Sequence, residues 1–263
     1  QMEDIPKLGM KYIEIRGVDG KNIADLTPEE VAEVKAKLDA AGVQISSIGS
    51  PIGKIDITDD FEPHLEKFRA VAATAKALGT RYIRMFSFFM PKDADPADYR
   101  DEVLARLRRL IEEAKKADVV LLHENEKEIY GDTDDRCLDL MKELYCDNFK
   151  AVFDFANFVQ CGVDTLRAYE LMKPYVVYIH IKDAEAGTGT IVPPGKGAGH
   201  LAEILAKFKA DGYTGFISLE PHLTNFTGLS GLEKEVEERH TTLTGEEAFT
   251  LAHDCLVEIL DKI

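Results

Sequence analysis

Short apolar runs alternate with longer amphipathic segments along the whole chain. The short runs are apolar on both faces, which predicts parallel strands covered by helices. We expect seven such strands, over Tyr12–Arg16, Val43–Ile48, Tyr82–Phe86, Val119–Glu124, Ala151–Phe155, Val176–Lys182 and Gly215–Glu220. The segments between them repeat apolar residues at helical spacing. This alternation predicts an α/β fold built from βα units with right-handed crossovers.

Two helix starts are marked clearly in the sequence. Thr27 precedes Pro28 and two glutamates, which is typical of a capped helix start, and Thr244 precedes a similar acidic turn. The last helix is expected to bury Leu251, Cys255 and Ile259. The polar stretch Asn225–Thr242 predicts a long loop, with a short helix at Leu232–Arg239 and a solvated acidic face at Glu233–Glu238.

Seven strands are one fewer than a (β/α)8 TIM barrel contains. Residues 1–9 resemble the end of a helix that leads into the strand at Tyr12. The simplest interpretation places the first barrel strand upstream of Gln1, so that the visible strands are the second to the eighth. Without a Gly-, Pro- or Ser-rich linker, residues 1–263 are expected to form a single domain.

Composition and charge exclude several classes of function. Acidic residues outnumber basic ones 48 to 32, and a net charge of −16 repels phosphate backbones, which argues against nucleic-acid binding. The sequence has no apolar run long enough to span a membrane. Four widely spaced cysteines without a CxxC pair indicate reduced thiols in a cytoplasmic protein. Barrels of this kind often associate, which leaves a homo-oligomer open.

Four successive predicted strands end in a side chain that can bind a metal. These are Glu124, Asp154, His180 and Glu220, separated by 30, 26 and 40 residues. Active groups of parallel barrels sit at the carboxyl ends of the strands, so the four side chains should converge. Any one of them alone is more often solvated or hydrogen-bonded, but four in register favour a shared site.

The donor set of this predicted site determines which ions suit it. Three carboxylates and one imidazole nitrogen suit Mn²⁺, Mg²⁺ or Co²⁺, with Zn²⁺ as a further option. Without a cation the three like charges would repel one another. We therefore expect a divalent metal, with both glutamates at a solvent-facing rim.

Residues beside these ligands are candidates for substrate binding. Lys182 and His222 lie two positions beyond a ligand and share its face of the strand. Lys182 could bind a substrate oxygen or pair with a ligand carboxylate, and His222 could contact substrate, shuttle a proton or be a loop histidine. Asn125 and Asn157 are also assigned to substrate binding, although Asn125, like Glu126, could instead orient Glu124.

Other polar residues leave two interpretations open. Arg84 and Ser87 could meet substrate hydroxyls, but Arg84 is equally a partner for Glu14. His123 is expected to face the helices and His64 to be exposed. The glycine-rich segment Pro193–His200 could cradle an anion, although a loop with unusual backbone angles is the simpler interpretation.

The chain resembles the xylose isomerase-like barrel superfamily of sugar phosphate isomerases and epimerases. The resemblance is carried by KYIEIRGVDGKNIADLT, YIRMFSFF, LLHENEKEIYGDT, AVFDFANFVQCG, YIHIKDA, VPPGKGAGHL and ISLEPHL. It implies that Glu124, Asp154, His180 and Glu220 hold the metal. It further implies an enzyme of carbohydrate metabolism acting on a sugar, sugar phosphate or polyol through a metal-stabilised enediolate, with the two glutamates moving the proton.

The resemblance leaves three alternatives open. The first is a dehydratase of the inosose or dehydroshikimate type. The second is an apurinic-site endonuclease, which the charge and the absence of further histidines at early strand ends disfavour. The third is a sugar-binding barrel without catalysis.

Overall fold

The computed structural model describes residues 4–224 and 242–263, which form two compact units. The first unit comprises Gln1–His123, Glu128–Tyr130 and Leu140–Lys150; the second comprises Glu124–Lys127, Gly131–Asp139 and Ala151–Ile263. The predicted loop and short helix between residues 225 and 241 lie outside the described residues. The single-domain assignment and a strand upstream of Gln1 stay predictions.

Helices and strands alternate in the described residues. In the first half they are α1 Asp4–Lys7, β1 Tyr12–Ile15, β2 Gly17–Val18, β3 Lys21–Asn22, α2 Pro28–Ala41, β4 Gln44–Gly49, α3 Glu62–Leu78, β5 Tyr82–Met85, α4 Arg100–Ala117 and β6 Val120–Glu124. In the second half they are α5 Asp134–Leu144, β7 Phe149–Asp154, α6 Phe155–Gln160, α7 Thr165–Met172, β8 Val176–Ile181, β9 Asp183–Ala184, β10 Ile191–Val192, α8 Leu201–Ala210, β11 Phe216–Leu219 and α9 Gly245–Leu260.

The long strands pair in parallel, as the sequence predicts. In the first unit β1 pairs with β4, β4 with β5, and β5 with β6. In the second unit β8 lies between β7 and β11. All seven predicted strands are present with ends shifted by one or two residues, so the α/β class is confirmed. The prediction that the strand extends to Phe155 is wrong, because Asp154 caps α6 and Phe155 is the first residue of that helix.

Helices cover the strands through the predicted apolar stripes. Val31, Val34 and Leu38 of α2 are buried, and the capping box of Thr27 and Glu30 is formed. Thr244 and Glu247 form the second box at the start of α9. The predicted buried face of α9 is wrong. The buried residues of this helix are Ala248, Ala252 and Leu256, whereas Leu251 is 39% exposed. Apolar residues lie on several faces of this helix, so the periodicity alone did not identify the buried one.

His64 is buried in α3, contrary to the sequence prediction. Its Nε2 accepts a hydrogen bond from the Gly53 backbone N–H at 2.7 Å, in the segment that follows β4. The pKa of His64 is lowered from 6.5 to about 4, mainly by burial and further by the positive charges of Lys67 and Arg106. The neutral ring therefore fastens this segment to α3.

Acidification should weaken the first unit through His64. Between pH 6.5 and pH 4 the unfolded chain binds a proton on this residue and the folded chain does not, so stability falls as the pH falls. We expect a loss of about 2–3 kcal/mol in the free energy of unfolding across that window. Urea unfolding at pH 7 and pH 4.5 should show a smaller loss for His64→Gln; an equal loss in both proteins would contradict the assignment.

Two further sequence expectations concern cysteines and membranes. All four cysteines are free thiols, as predicted from their spacing. Within residues 4–224 and 242–263, no helix is both long and apolar enough to cross a membrane.

Candidate metal centre

The four predicted ligands meet within the second unit. Glu124 ends β6, Asp154 ends β7, His180 lies in β8, and Glu220 follows β11. One potential ligand atom from each residue lies within 4.8 Å of the others. His180 Nδ1 lies 2.9 Å from Glu124 Oε1, 3.5 Å from Glu220 Oε2 and 3.9 Å from Asp154 Oδ2. The strand-end register therefore brings together the residues that the sequence singled out.

The four side chains differ in exposure. Glu124, Asp154 and His180 are buried, whereas the Glu220 side chain is 18% exposed. Glu220 is thus the member of the set that solvent reaches most easily. The expectation that both glutamates lie at a solvent-facing rim holds for Glu220 and is wrong for Glu124, because β6 is buried along its whole length.

Asp154 has one oxygen committed to the fold and one available to a cation. Its Oδ1 accepts the Asn157 backbone N–H at 2.8 Å, which caps the first turn of α6. Its Oδ2 is buried, accepts no hydrogen bond and lies 3.2 Å from Lys182 Nζ. Burial raises the pKa of Asp154 to about 7, with Lys182 opposing the shift and Glu124 adding to it. A divalent cation would relieve this desolvation, so the residues fit a metal.

Lys182 forms ion pairs with two of these carboxylates. It is 5% exposed, and its Nζ lies 3.9 Å from Glu220 Oε2. Burial alone lowers the pKa of Lys182, but the carboxylates of Asp154 and Glu220 raise it above its usual value. The ion pair offered as the alternative to substrate binding is therefore formed.

His222 lies beside the second carboxylate oxygen of Glu220. Its Nε2 is 3.6 Å from Glu220 Oε1, while Glu220 Oε2 faces His180. The residue adopts a left-handed backbone conformation with φ of 45°. Such a conformation costs energy in a non-glycine residue, so the surrounding structure determines where this imidazole points.

The two candidate asparagines make hydrogen bonds that fix the ligands. The Asn125 amide both donates to the Asp154 carbonyl and accepts the Asp154 N–H, each at 3.0 Å. Asn157 Nδ2 donates to Glu124 Oε1 at 3.3 Å and to the Asn125 carbonyl at 2.9 Å. Asn157 therefore orients Glu124 through a direct hydrogen bond.

Arg84 and His123 lie in the first unit. Arg84 is buried, donates a hydrogen bond to the Ser50 carbonyl at 3.0 Å and forms an ion pair with Glu14 at 3.5 Å. The pairing with Glu14, which the sequence offered as the alternative to a substrate contact, is therefore formed. His123 is buried as predicted, with its Nε2 2.9 Å from Ser87 Oγ. The Ser87 hydroxyl thus has an internal partner.

The glycine-rich segment does cradle an anion, but the anion is the chain's own Asp183. The buried Asp183 carboxylate accepts backbone N–H groups from Ala184, Gly195, Gly197 and Gly199 at 2.9–3.0 Å. Sequence reasoning missed this contact, because nothing local links Asp183 to a segment more than ten residues away. The amides are already used and leave no anion site for a ligand.

A methyl group at Gly197 should disrupt this contact. A Cβ at that position would overlap the Ala184 carbonyl and the Asp183 carboxylate. We expect Gly197→Ala to lower the free energy of unfolding by about 1–3 kcal/mol, the usual cost of overpacking. Gly245→Ala is the matched control, since nothing lies within 4 Å of its Cβ. Urea denaturation should separate the two variants; equal stabilities would show that the segment yields easily.

Comparison with known proteins identifies relatives of this chain. The family described as xylose isomerase-like TIM barrel matches residues 2–242. A curated relative, the 3-dehydroshikimate dehydratase of Bacillus anthracis, is 25% identical over 179 residues, which cover 66% of this chain and 62% of the dehydratase. The chain thus spans less than two thirds of that relative.

Solved structures share the fold at lower identity. The IOLI protein, whose structure holds a zinc atom, has a TM-score of 0.77 at 20% identity, covering 99% of this chain and 92% of the other. D-Psicose 3-epimerase from Clostridium cellulolyticum H10, solved with D-tagatose, has a TM-score of 0.77 at 16% identity, covering 99% and 91%. These likenesses show the TIM-barrel fold.

Proposed function

This chain belongs to the xylose isomerase-like TIM barrel family, and we propose that it is a divalent-metal-dependent isomerase or epimerase of a sugar or sugar phosphate. The observation that carries the proposal is the convergence of Glu124, Asp154, His180 and Glu220. A buried Asp154 oxygen without a hydrogen bond supports a cation at that point. Small sugars or polyols are the substrates that epimerase neighbours suggest.

The four residues would hold Mn²⁺, Mg²⁺ or Co²⁺, with Zn²⁺ as a further option. A divalent ion in this position supplies Lewis-acid polarisation of a carbonyl and an adjacent hydroxyl oxygen, which makes the neighbouring C–H more acidic. Asn157 holds Glu124 in place, and Asn125 fixes the backbone at Asp154. His180 Nδ1, which lies 2.9 Å from Glu124 Oε1, would give up that hydrogen bond if it bound the ion.

Proton transfer is assigned to the two glutamates. Glu220 is the more accessible of the pair, so its carboxylate is suited to take the proton from the substrate carbon. Glu124, on the buried side, is suited to deliver to the neighbouring carbon, or to the opposite face, a proton that it has taken up from solvent, while Glu220 releases its proton to solvent. The reverse assignment serves the reverse reaction. Each transfer moves one proton between a carbon and a carboxylate oxygen.

Substrate contacts are assigned to the two basic residues beside the carboxylates. Lys182 Nζ can donate to a substrate oxygen, and His222 Nε2 lies 3.6 Å from Glu220 Oε1. Asn125 and Asn157 are better suited to orienting ligands, because their amides are already hydrogen-bonded within the site. Arg84 as a substrate contact stays a prediction, as do the cytoplasmic location and a homo-oligomer.

A dehydratase of the dehydroshikimate type is the second candidate. The specific observation that favours it is the similarity to the Bacillus anthracis enzyme, which extends over 179 residues. Proton removal beside a polarised carbonyl is shared by both reactions. They differ in the next event, which is return of the proton in an isomerase or loss of a hydroxyl group as water in a dehydratase.

The deciding experiment is product analysis on the metal-loaded protein. The protein would be incubated with ketoses, keto-glucosides, inososes and 3-dehydroshikimate, each with Mn²⁺, Mg²⁺, Co²⁺ or Zn²⁺. A product of unchanged mass that carries solvent deuterium on carbon supports isomerisation or epimerisation. Loss of one water supports the dehydratase. Saturable binding of a sugar without any turnover would contradict both and support a binding barrel.

A further inference from the structure

Lys182 and a divalent cation compete for the same oxygen. Asp154 Oδ1 is committed to the start of α6 through the Asn157 N–H. The remaining oxygen, Oδ2, lies 3.2 Å from Lys182 Nζ. A cation that bound Asp154 through Oδ2 would therefore lie close to the Lys182 ammonium group.

The ammonium group is also confined. Lys182 is 5% exposed, and a second carboxylate oxygen, Glu220 Oε2, lies 3.9 Å from its Nζ. Water can replace these partners only to a small extent at such a buried position. The Lys182 ammonium group offsets part of the negative charge of the three carboxylates. Because it is compact, it acts nearly as a point charge.

We propose that Lys182 is the internal counter-ion of the metal-free site, and that it holds the carboxylates together while weakening the binding of the divalent ion. This inference rests on the proposed function, because it assumes the metal site formed by Asp154 and its three neighbours.

Electrostatics gives the direction of the effect. The ammonium stabilises the carboxylates before the ion arrives, so part of their attraction is already satisfied. Once the ion is present, two positive charges stand within a few ångströms in a buried setting, where screening is weak. Lys182 must then either move away from Asp154 or remain beside a like charge. Both lower the affinity for the metal.

The test compares Mn²⁺ affinities, measured by calorimetry and by the electron paramagnetic resonance signal of free Mn²⁺. Lys182→Met removes the charge and keeps an unbranched side chain. We expect it to bind Mn²⁺ about 10–100-fold more tightly, the range over which groups behind the ligands tune metal sites. Lys182→Arg keeps the charge and should stay close to the wild-type affinity. Lys196→Met, at an exposed lysine of the second unit, is the matched control.

Thermal melting provides the second readout. Without metal, Lys182→Met should melt below the wild type, because its carboxylates have lost their counter-ion; saturating Mn²⁺ should remove the difference. A folded Lys182→Met protein that binds Mn²⁺ equally or more weakly overturns the inference. If this variant folds only with metal, the Mn²⁺ concentration at the refolding midpoint, measured also for Lys182→Gln, gives the affinity.

The same measurements separate this inference from the proposed function. If the wild type binds Mn²⁺ through Asp154 but the affinity of Lys182→Met is unchanged, only the counter-ion role is wrong. If neither the wild type nor Lys182→Met binds any of the four divalent ions, the metal site fails and the proposed function fails with it.

Discussion

Glu220→Gln and Glu124→Gln should each lower turnover by about 10²–10⁴-fold at saturating metal, the range typical of general acid–base catalysis. Each substitution keeps the size of the side chain and removes the carboxylate that accepts the proton. Glu220 Oε2 lies 3.5 Å from His180 Nδ1, and Glu124 Oε1 lies 2.9 Å from the same atom. An amide at either position can no longer take a proton from carbon. The measurement is kcat for whichever substrate the panel identifies.

The matched control is Glu185→Gln, a carboxylate-to-amide change in the same unit. Glu185 is exposed, and its side chain accepts a hydrogen bond from the Thr188 hydroxyl at 3.2 Å. We expect wild-type turnover from it. A Glu220→Gln protein that keeps wild-type turnover at saturating metal would leave Glu220 as a ligand alone and would end the two-glutamate mechanism.

Burial makes the two variants differ in stability. Glu124 is 2% exposed and hydrogen-bonded to Asn157, whereas Glu220 is partly exposed. Melting temperatures should therefore be measured beside kcat, because Glu124→Gln can disturb the buried hydrogen bond between Glu124 and Asn157. A loss of turnover at unchanged melting temperature assigns the effect to chemistry.

The four ligands could be predicted from the sequence because of one geometric rule. Parallel strands present their carboxyl ends at one edge, so a metal-binding residue at each strand end is enough to place the side chains together. Glu124 and Glu220, nearly a hundred residues apart, meet for this reason. The strands themselves were visible because each is apolar on both faces.

Contacts that depend on tertiary packing could not be predicted in this way. His64 lies one turn before buried Phe68 on the same face of α3, but its polar side chain suggested exposure, and the hydrogen bond that its ring accepts from Gly53 is not visible in the sequence. The partner of Asp183 is a loop that the sequence presents as a ligand cradle. The role of Asn157 depends on a helical turn that begins at Phe155, the residue predicted as the last of the strand. Each of these three contacts joins residues whose relation is set by the fold and not by periodicity.

The metal site has a matched pair of aspartates that tests it directly. Asp154 and Asp164 both cap helices of the second unit, through the Asn157 and Leu166 N–H groups. Asn is as good an N-cap as Asp, so Asp154→Asn and Asp164→Asn should preserve both helix starts. Only Asp154 has its other oxygen beside the remaining ligands. The two variants therefore differ in metal chemistry and not in capping.

Asp154→Asn should lower Mn²⁺ affinity by at least about 100-fold, equivalent to about 2.7 kcal/mol of binding free energy. The amide that replaces Asp154 removes the negative charge and leaves an N–H₂ or a neutral oxygen where Oδ2 stood. The rise in melting temperature that Mn²⁺ gives the wild type should persist in Asp164→Asn and be lost in Asp154→Asn, because only a ligand that binds the folded state stabilises it. A melting transition without metal should first establish that Asp154→Asn is folded, because the substitution removes one carboxylate partner of buried Lys182. If this folded variant binds Mn²⁺ within a few-fold of the wild type, the ion does not bind through Asp154, and the four-residue site must be assigned differently.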